Sequence, residues 1–243
     1  MSAESVLITG GAKRLGRAVA LRLASEGHPV WIHCRTSTEE AENLCLEIRS
    51  AGGRADWLQA DLHRPDERSR LMHDFLSHAE STPSLIHAAS NFTPGGPEDA
   101  DHFQAMLEIH VHAFRDLTQS LWQALPPTST SRAILFGDSQ VGYHGGFFNY
   151  RYSKRAAMDL ARLLARHLAP RLLVHIVAPG PVLPAENDVD GSRFTQIVEK
   201  TPLRHSPGSG AIQDAVSFLM KATWSTGQIL YVDAGQHLTQ DLG

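Results

Sequence analysis

The chain has 243 residues, enough to bury one sizeable core, and its 42% hydrophobic and 20% charged residues place it with globular proteins rather than disordered or fibrous ones. Lys and Arg total 22 against 26 Asp and Glu, and the basic residues are scattered; a net charge of -4 argues against nucleic acid as a partner. Met1 to Glu4 carries no basic leader, no apolar run approaches the roughly 18 residues of a membrane helix, and Cys34 and Cys45 are too few for a disulfide framework or a zinc cluster, so the expectation is a soluble cytoplasmic protein with reduced thiols and no membrane contact.

In chain order, Val6–Thr9 is a short β-branched strand that ends at Gly10 and Gly11. Residues from Arg14 to Glu26 then set Leu15, Ala18, Val19 and Leu23 at helical spacing. The pattern repeats as a strand over Pro29–Cys34 with a helix over Thr38–Ala51, and a strand over Ala55–Ala60 with a helix over Pro65–His78. A strand at Leu85–Ala88 precedes two helices within Pro97–Leu125. There follow a strand at Ala133–Phe136, a long helix from about Tyr150 to Leu168, a strand at Leu173–Val177, a helix near Ala211–Met220 and a strand at Gln228–Val232. Strands alternating with helices need crossover connections, which predicts one α/β unit over residues 1–243: a Rossmann-like, doubly wound parallel sheet flanked by helices in three layers. Its binding crevice lies at the carboxyl ends of the strands. Two irregular segments, Asn91 to Pro97 and Gly180 to Gly191, rich in Pro and Gly, are expected to overhang it as substrate loops, the second extending to about residue 200.

Thr9-Gly10-Gly11-Ala12-Lys13-Arg14-Leu15-Gly16 lies between the first strand and first helix, where glycines let backbone approach a pyrophosphate and helix N–H groups point at it. After the second strand comes Cys34-Arg35-Thr36-Ser37, with no acid before Glu39 to take the ribose hydroxyls. Arg35, Lys13 and Arg14 are instead expected to surround a 2′-phosphate, which selects NADPH over NADH. Tyr150 and Lys154 stand four apart on one face of the long helix; an ammonium near a phenol lowers its pKa and makes it a usable proton donor and acceptor.

With Asp61 in Gln59-Ala60-Asp61-Leu62 and the run Val177-Ala178-Pro179-Gly180 also in order, the chain resembles the short-chain dehydrogenase/reductase superfamily over nearly its full length. The resemblance implies that the glycine-rich turn, with Gly10 and Leu15, holds the pyrophosphate, and that Asp61 and Leu62 meet the adenine end beside Arg35 and Thr36. It also implies that Ala88, Ala89 and Ser90 line the adenosine side, that Pro179, Gly180 and Val182 flank the nicotinamide, and that Tyr150 protonates substrate while Lys154 holds the nicotinamide ribose. A homotetramer built through the long helices is a further implication.

The departures from the superfamily carry more information. The usual turn TGxxxGxG has Gly where this chain has Arg14, and TGxxxRxG is similar to the pteridine and dihydromonapterin reductases, which use NADPH. Leu85 to Phe92 is similar to their strand and loop ending in an aromatic, which makes Phe92 a stacking platform for a flat pterin ring; Tyr231 to Leu238 is similar to the end of their chains. Where the superfamily has its catalytic Ser, twelve residues before the Tyr, this chain has Asp138. A Ser donates to the developing alkoxide of a ketone, whereas a carboxylate only accepts and repels negative charge. Reduction of a C=N bond ends in a neutral amine, so Asp138 points to imine chemistry on a dihydropteridine. If Ser139 faced the substrate instead, carbonyl or alcohol oxidoreduction by Ser139, Tyr150 and Lys154 would return; a non-catalytic NADP-binding protein is the third reading. His110 stands where the superfamily has an Asn that holds a relay water, a role an imidazole can take. The 14 histidines form no cluster at ligand spacing, so no metal is expected.

Overall fold

The computed structural model describes residues 3–140, 146–185 and 188–239, so Glu186 and Asn187 of the second expected substrate loop lie outside the described residues. Seven parallel strands, β1 (Ser5–Thr9), β2 (Val30–Cys34), β3 (Ala55–Gln59), β4 (Pro83–His87), β5 (Ser131–Phe136), β6 (Leu172–Pro179) and β7 (Ile229–Val232), form one sheet in the order β3-β2-β1-β4-β5-β6-β7. Strand order reverses between β1 and β4, which is where a doubly wound sheet opens a crevice. The loops after those two strands, from Gly10 and from Ala88, form its walls.

The inner strands are buried on both faces, so each splits its side chains between two cores. Val6, Ile8, Ile32, Ile86 and Ile134 enter one core, where they meet Val19 and Leu23 of α1 (Arg14–Ser25), Leu44 and Ile48 of α2 (Thr38–Ser50), and Ile212, Val216 and Leu219 of the C-terminal helix over Gly208–Lys221. Leu7, Leu85, Leu135, Val174 and Ile176 enter the other. There they pack on Leu71 and Phe75 of α3 (Pro65–His78), on Phe114, Leu117 and Leu121 of the helix over Ala113–Ala124, and on Ala157 and Ala161 of the helix over Phe148–Leu168. Cys34 and Cys45 are free and buried, and burial pushes the Cys45 thiol up to about 11. No helix among the described residues is long and apolar enough to cross a membrane.

Three elements differ from the sequence-based expectation. The two helices expected in Pro97–Leu125 are one helical run, α4 (Ala100–Leu107) and α5 (Ala113–Ala124), joined by a π-turn over Glu108–His112. Its wider ring of hydrogen bonds frees carbonyls that side chains then claim. The buried Arg68 donates to the Glu108 carbonyl at 3.3 Å and its carboxylate at 2.8 Å, and His87 Nε2 bonds the Ile109 carbonyl at 2.9 Å. Next, α6 (Phe148–Leu168) begins two residues earlier than expected. Finally, α7 (Ser192–Glu199) occupies part of the expected loop, followed by α8 (Gly208–Lys221). None of the residues of α7 is buried, although Phe194, Ile197 and Val198 share one face of it at helical spacing.

Candidate active site

The glycine-rich turn is held from below by a histidine. Gly10 has φ +64, and a Cβ there would lie 2.8 Å from Ala89 Cα, so only glycine lets the β1 and β4 loops approach this closely. The Gly10 N–H donates to His33 Nδ1 at 3.2 Å, which leaves Nε2–H to donate to the Ala60 carbonyl at 3.0 Å. Burial holds the His33 pKa down at about 4, so the ring is neutral and its tautomer fixed. At the start of α1 no side-chain cap forms and no acid stands in the first turn. Its N–H groups suit an anion, and the turn therefore fits a dinucleotide pyrophosphate.

The three cations expected at a 2′-phosphate do not share one place. Arg14 takes φ +51, and its guanidinium crosses the crevice to the Pro184 carbonyl at 2.6 Å. It therefore joins the dinucleotide turn to the loop after β6 rather than standing at the adenosine end; the left-handed backbone sets that direction. Lys13 pairs with Glu40 at 2.5 Å, on the rim of a cleft of about 410 Å³ between α1 and α2. Arg35 and Thr36 are exposed just beyond β2. Asp61 is bonded to His63 at 2.8 Å; against burial, the His63 hydrogen bonds, and after them the Arg35 charge, hold its carboxyl below the usual range. The Leu62 side chain is buried in the core and its carbonyl accepts from Arg68. Leu15 packs on the first core, and Ala88 and Ala89 follow β4 beside Gly10. Pro179 and Gly180 close on Asp233, where a Cβ at Gly180 would lie 2.5 Å from the Asp233 Cβ, and Val182 is buried behind them.

At the other end of the crevice, the Tyr150 phenol donates to Asp138 Oδ2 at 2.7 Å, and the Gln140 N–H donates to Asp138 Oδ1 at 2.6 Å. Ser139 turns the other way: its buried hydroxyl donates to Gln236 Oε1 at 3.0 Å. Lys154 Nζ donates to the Phe136 carbonyl at 2.9 Å and lies 5.9 Å from the centre of the Tyr150 ring. The electrostatics differ from expectation. Burial, and after it the Asp138 carboxylate, push the Tyr150 phenol well above its ordinary value, while burial holds Lys154 down at about 8. Burial and an adjacent anion outweigh an ammonium that is itself buried and donates to a carbonyl. The phenol is thus a protonated donor.

His110 projects from the π-turn with its ring edge-to-face on Tyr150, centroids 5.5 Å apart. Its Nδ1 bonds Ser153 Oγ at 2.8 Å and its Nε2 bonds Ser90 Oγ at 2.9 Å. Both ring nitrogens are therefore spent on hydroxyls, which corrects the expectation of a bound relay water. Ser90 also reaches the phenol. Phe92, 59% exposed, stacks on Phe147 with centroids 4.4 Å apart and meets Tyr150 edge-on at 4.9 Å. One face of the expected platform is covered by this neighbour. Asn149 docks the Phe92 loop on α6 by donating to the Gly96 carbonyl at 2.6 Å and to His102 Nδ1 at 3.1 Å. Phe147, Asn149 and Ser153 escaped the sequence reading; their closeness to Tyr150 along the chain was the only signal. Among the described residues no group of three or more His, Cys, Asp or Glu could hold a metal.

A protonated phenol, a carboxylate accepting from it and a buried ammonium at the carboxyl end of a parallel sheet form an acid–base site beside a dinucleotide turn. The model of the short chain dehydrogenase family matches residues 4–191. The dihydromonapterin reductase of Citrobacter koseri is 30% identical over 239 residues, 96% of each chain, and the 3-oxoacyl-[acyl-carrier-protein] reductase FabG of Aggregatibacter actinomycetemcomitans is 29% identical over 241 residues, 96% of this chain and 98% of that one. Among solved structures, FolM alternative dihydrofolate reductase 1 from Brucella canis, complexed with NADP, superposes with a TM-score of 0.87 at 34% identity, covering 96% of this chain and 94% of that one. The chain belongs to the short-chain dehydrogenase family and is an oxidoreductase of that family.

Proposed function

We propose that the protein is an NADPH-dependent reductase that converts a dihydropteridine to its tetrahydro form. The observation that carries this reading is the Tyr150 phenol donating to Asp138, at the position where a carbonyl reductase presents a hydroxyl donor. The uncapped start of α1 would hold the pyrophosphate, Arg35 and Lys13 the 2′-phosphate, and Lys154 the nicotinamide ribose. When bound, NADPH supplies the hydride that reduces the carbon of a C=N bond.

Tyr150 delivers a proton from its Oη to the neighbouring nitrogen, so the C=N double bond becomes a single bond with a new C–H and a new N–H. Asp138 keeps the phenol protonated and thus ready to donate, and it accepts N–H groups of the heterocycle. The same carboxylate repels the alkoxide that a ketone would develop. Phe92 and Phe147 offer a flat wall for a flat ring. Relatives named for dihydromonapterin and dihydrofolate support the substrate class, and a FabG relative at similar identity makes ketone reduction the competitor. As part of the same proposal the enzyme is cytoplasmic and tetrameric, with Tyr152 and Leu163 exposed on α6 for a second copy. The test is NADPH oxidation by the purified protein with dihydromonapterin or dihydrobiopterin against simple ketones and quinones. Turnover of the dihydropterins is expected. Turnover of ketones alone would overturn the reading.

A further inference from the structure

The direction of each hydrogen bond around His110 follows from counting protons. The Ser153 hydroxyl has one proton and donates it to the Tyr150 carbonyl at 2.8 Å. With that proton on the carbonyl, which can only accept, His110 Nδ1 is the donor in its 2.8 Å contact with Ser153 Oγ. Burial, with Lys154 and His87 close by, holds the His110 pKa well below its ordinary value, so the ring is neutral and Nε2 is a bare acceptor. The single proton of Ser90, 2.9 Å from Nε2, goes there. Ser90 is exposed in the crevice, and with its proton on Nε2 its lone pairs are left for the crevice.

We propose that His110 is a positioning residue which, locked as its Nδ1–H tautomer by Ser153, turns the Ser90 hydroxyl into an acceptor and thereby helps the pocket refuse carbonyl substrates. Asp138 and Ser90 then present acceptors beside Tyr150, which donates. A heterocycle edge carrying N–H groups satisfies both, whereas a ketone oxygen meets lone pairs at each. The inference rests on the dihydropteridine reading for the favoured substrate, but the tautomer lock stands apart from it.

Two measurements test it on the full chain. Two-bond 1H–15N correlation spectra of the imidazole nitrogens are expected to show His110 neutral with its proton on Nδ1 throughout pH 6 to 8. A proton on Nε2, or protonation within that range, overturns the lock. In the second, NADPH-dependent reduction of a vicinal diketone is compared for the wild type, His110→Leu, His110→Phe and each substitution combined with Ser90→Ala. Without its acceptor, the Ser90 O–H is free to turn to the substrate oxygen. Diketone turnover is then expected to rise about tenfold, roughly the effect of one hydrogen bond regained. The combined variants are expected to lose that gain. No gain in the folded single variants, or the same gain without Ser90, overturns the proposal; a purely structural role for His110 would lower turnover in all. A locked tautomer and diketone gain in a protein that ignores dihydropterins would strike the substrate reading alone.

Discussion

At the dinucleotide end of the crevice the charged groups are exposed and paired with one another. Lys13 meets Glu40 with both side chains about half exposed, and Arg17 meets Glu47 likewise. At the phenol end the polar groups are buried, and their hydrogen-bond partners are fixed. Tyr150, Lys154, His110 and Ser153 are each at most 8% exposed, and each bonds a specific neighbour. Exposed ion pairs contribute about 0–1 kcal/mol and exchange partners readily, so the first region can re-form around an incoming phosphate. Buried hydrogen bonds are costly to leave unmade, so the second is preorganised for chemistry. Substitutions at the two ends should therefore differ in kind: affinity shifts at one, altered chemistry at the other.

The largest effect is expected at the buried end. Tyr150→Phe removes the proton donor and should lower kcat by a factor on the order of 10² to 10⁴, while NADPH affinity by fluorescence titration stays near the wild-type value. A comparable loss of affinity would erase the distinction between the two ends. Acid lability should follow burial at both ends of the crevice. His33 and His87 are held near 4 and 3 by burial, against an ordinary 6.5. Because their folded pKa values lie below the unfolded one, the unfolded chain binds more protons in between. Their stabilisation is complete above pH 6.5 and is lost as the pH falls toward their folded values. Denaturant unfolding should show about 2 kcal/mol lost for each between pH 7 and 5, and a flat profile would contradict the neutral, tautomer-fixed rings.

Effects at the exposed end are smaller. Arg35→Ala should weaken NADPH about tenfold, the scale of one charge-assisted contact, with NADH little changed; equal loss for both would remove Arg35 from the 2′-phosphate. Glu40 holds Lys13 by a hydrogen bond that also keeps its own carboxyl below the usual range. Glu40→Gln should weaken this hold on the ammonium and tighten NADPH about two- to fourfold, as for a surface ion pair. A weaker NADPH complex would mean that Glu40 positions Lys13 instead of competing for it.

The sheet, the helix pairing and the spacing from Asp138 to Tyr150 were legible because they rest on periodicity and short range. Strand residues such as Val6 and Ile8 alternate between two cores, and twelve residues carry the chain from the end of β5 to the first turn of α6. What escaped depends on backbone direction or on distant contacts. The φ of Arg14 turns it from the adenosine end to Pro184, 170 residues on, and no side-chain property announces that. The π-turn adds its extra residue inside an unbroken helical pattern. His110 meets Ser90 and Ser153 across 20 and 43 residues, so its tautomer exists only in the folded chain.

The selection of C=N over C=O by the carboxylate beside the phenol is tested most directly with Asp138→Ser. The measurement is the ratio of kcat/KM for a dihydropterin to that for a simple ketone, in wild type and variant side by side. Dihydropterin reduction should fall more than tenfold, about 1.4 kcal/mol or more of transition-state stabilisation, while ketone reduction rises, so the ratio collapses from both sides. A ratio that Asp138→Ser leaves unchanged would show that the carboxylate at Tyr150 does not choose the substrate.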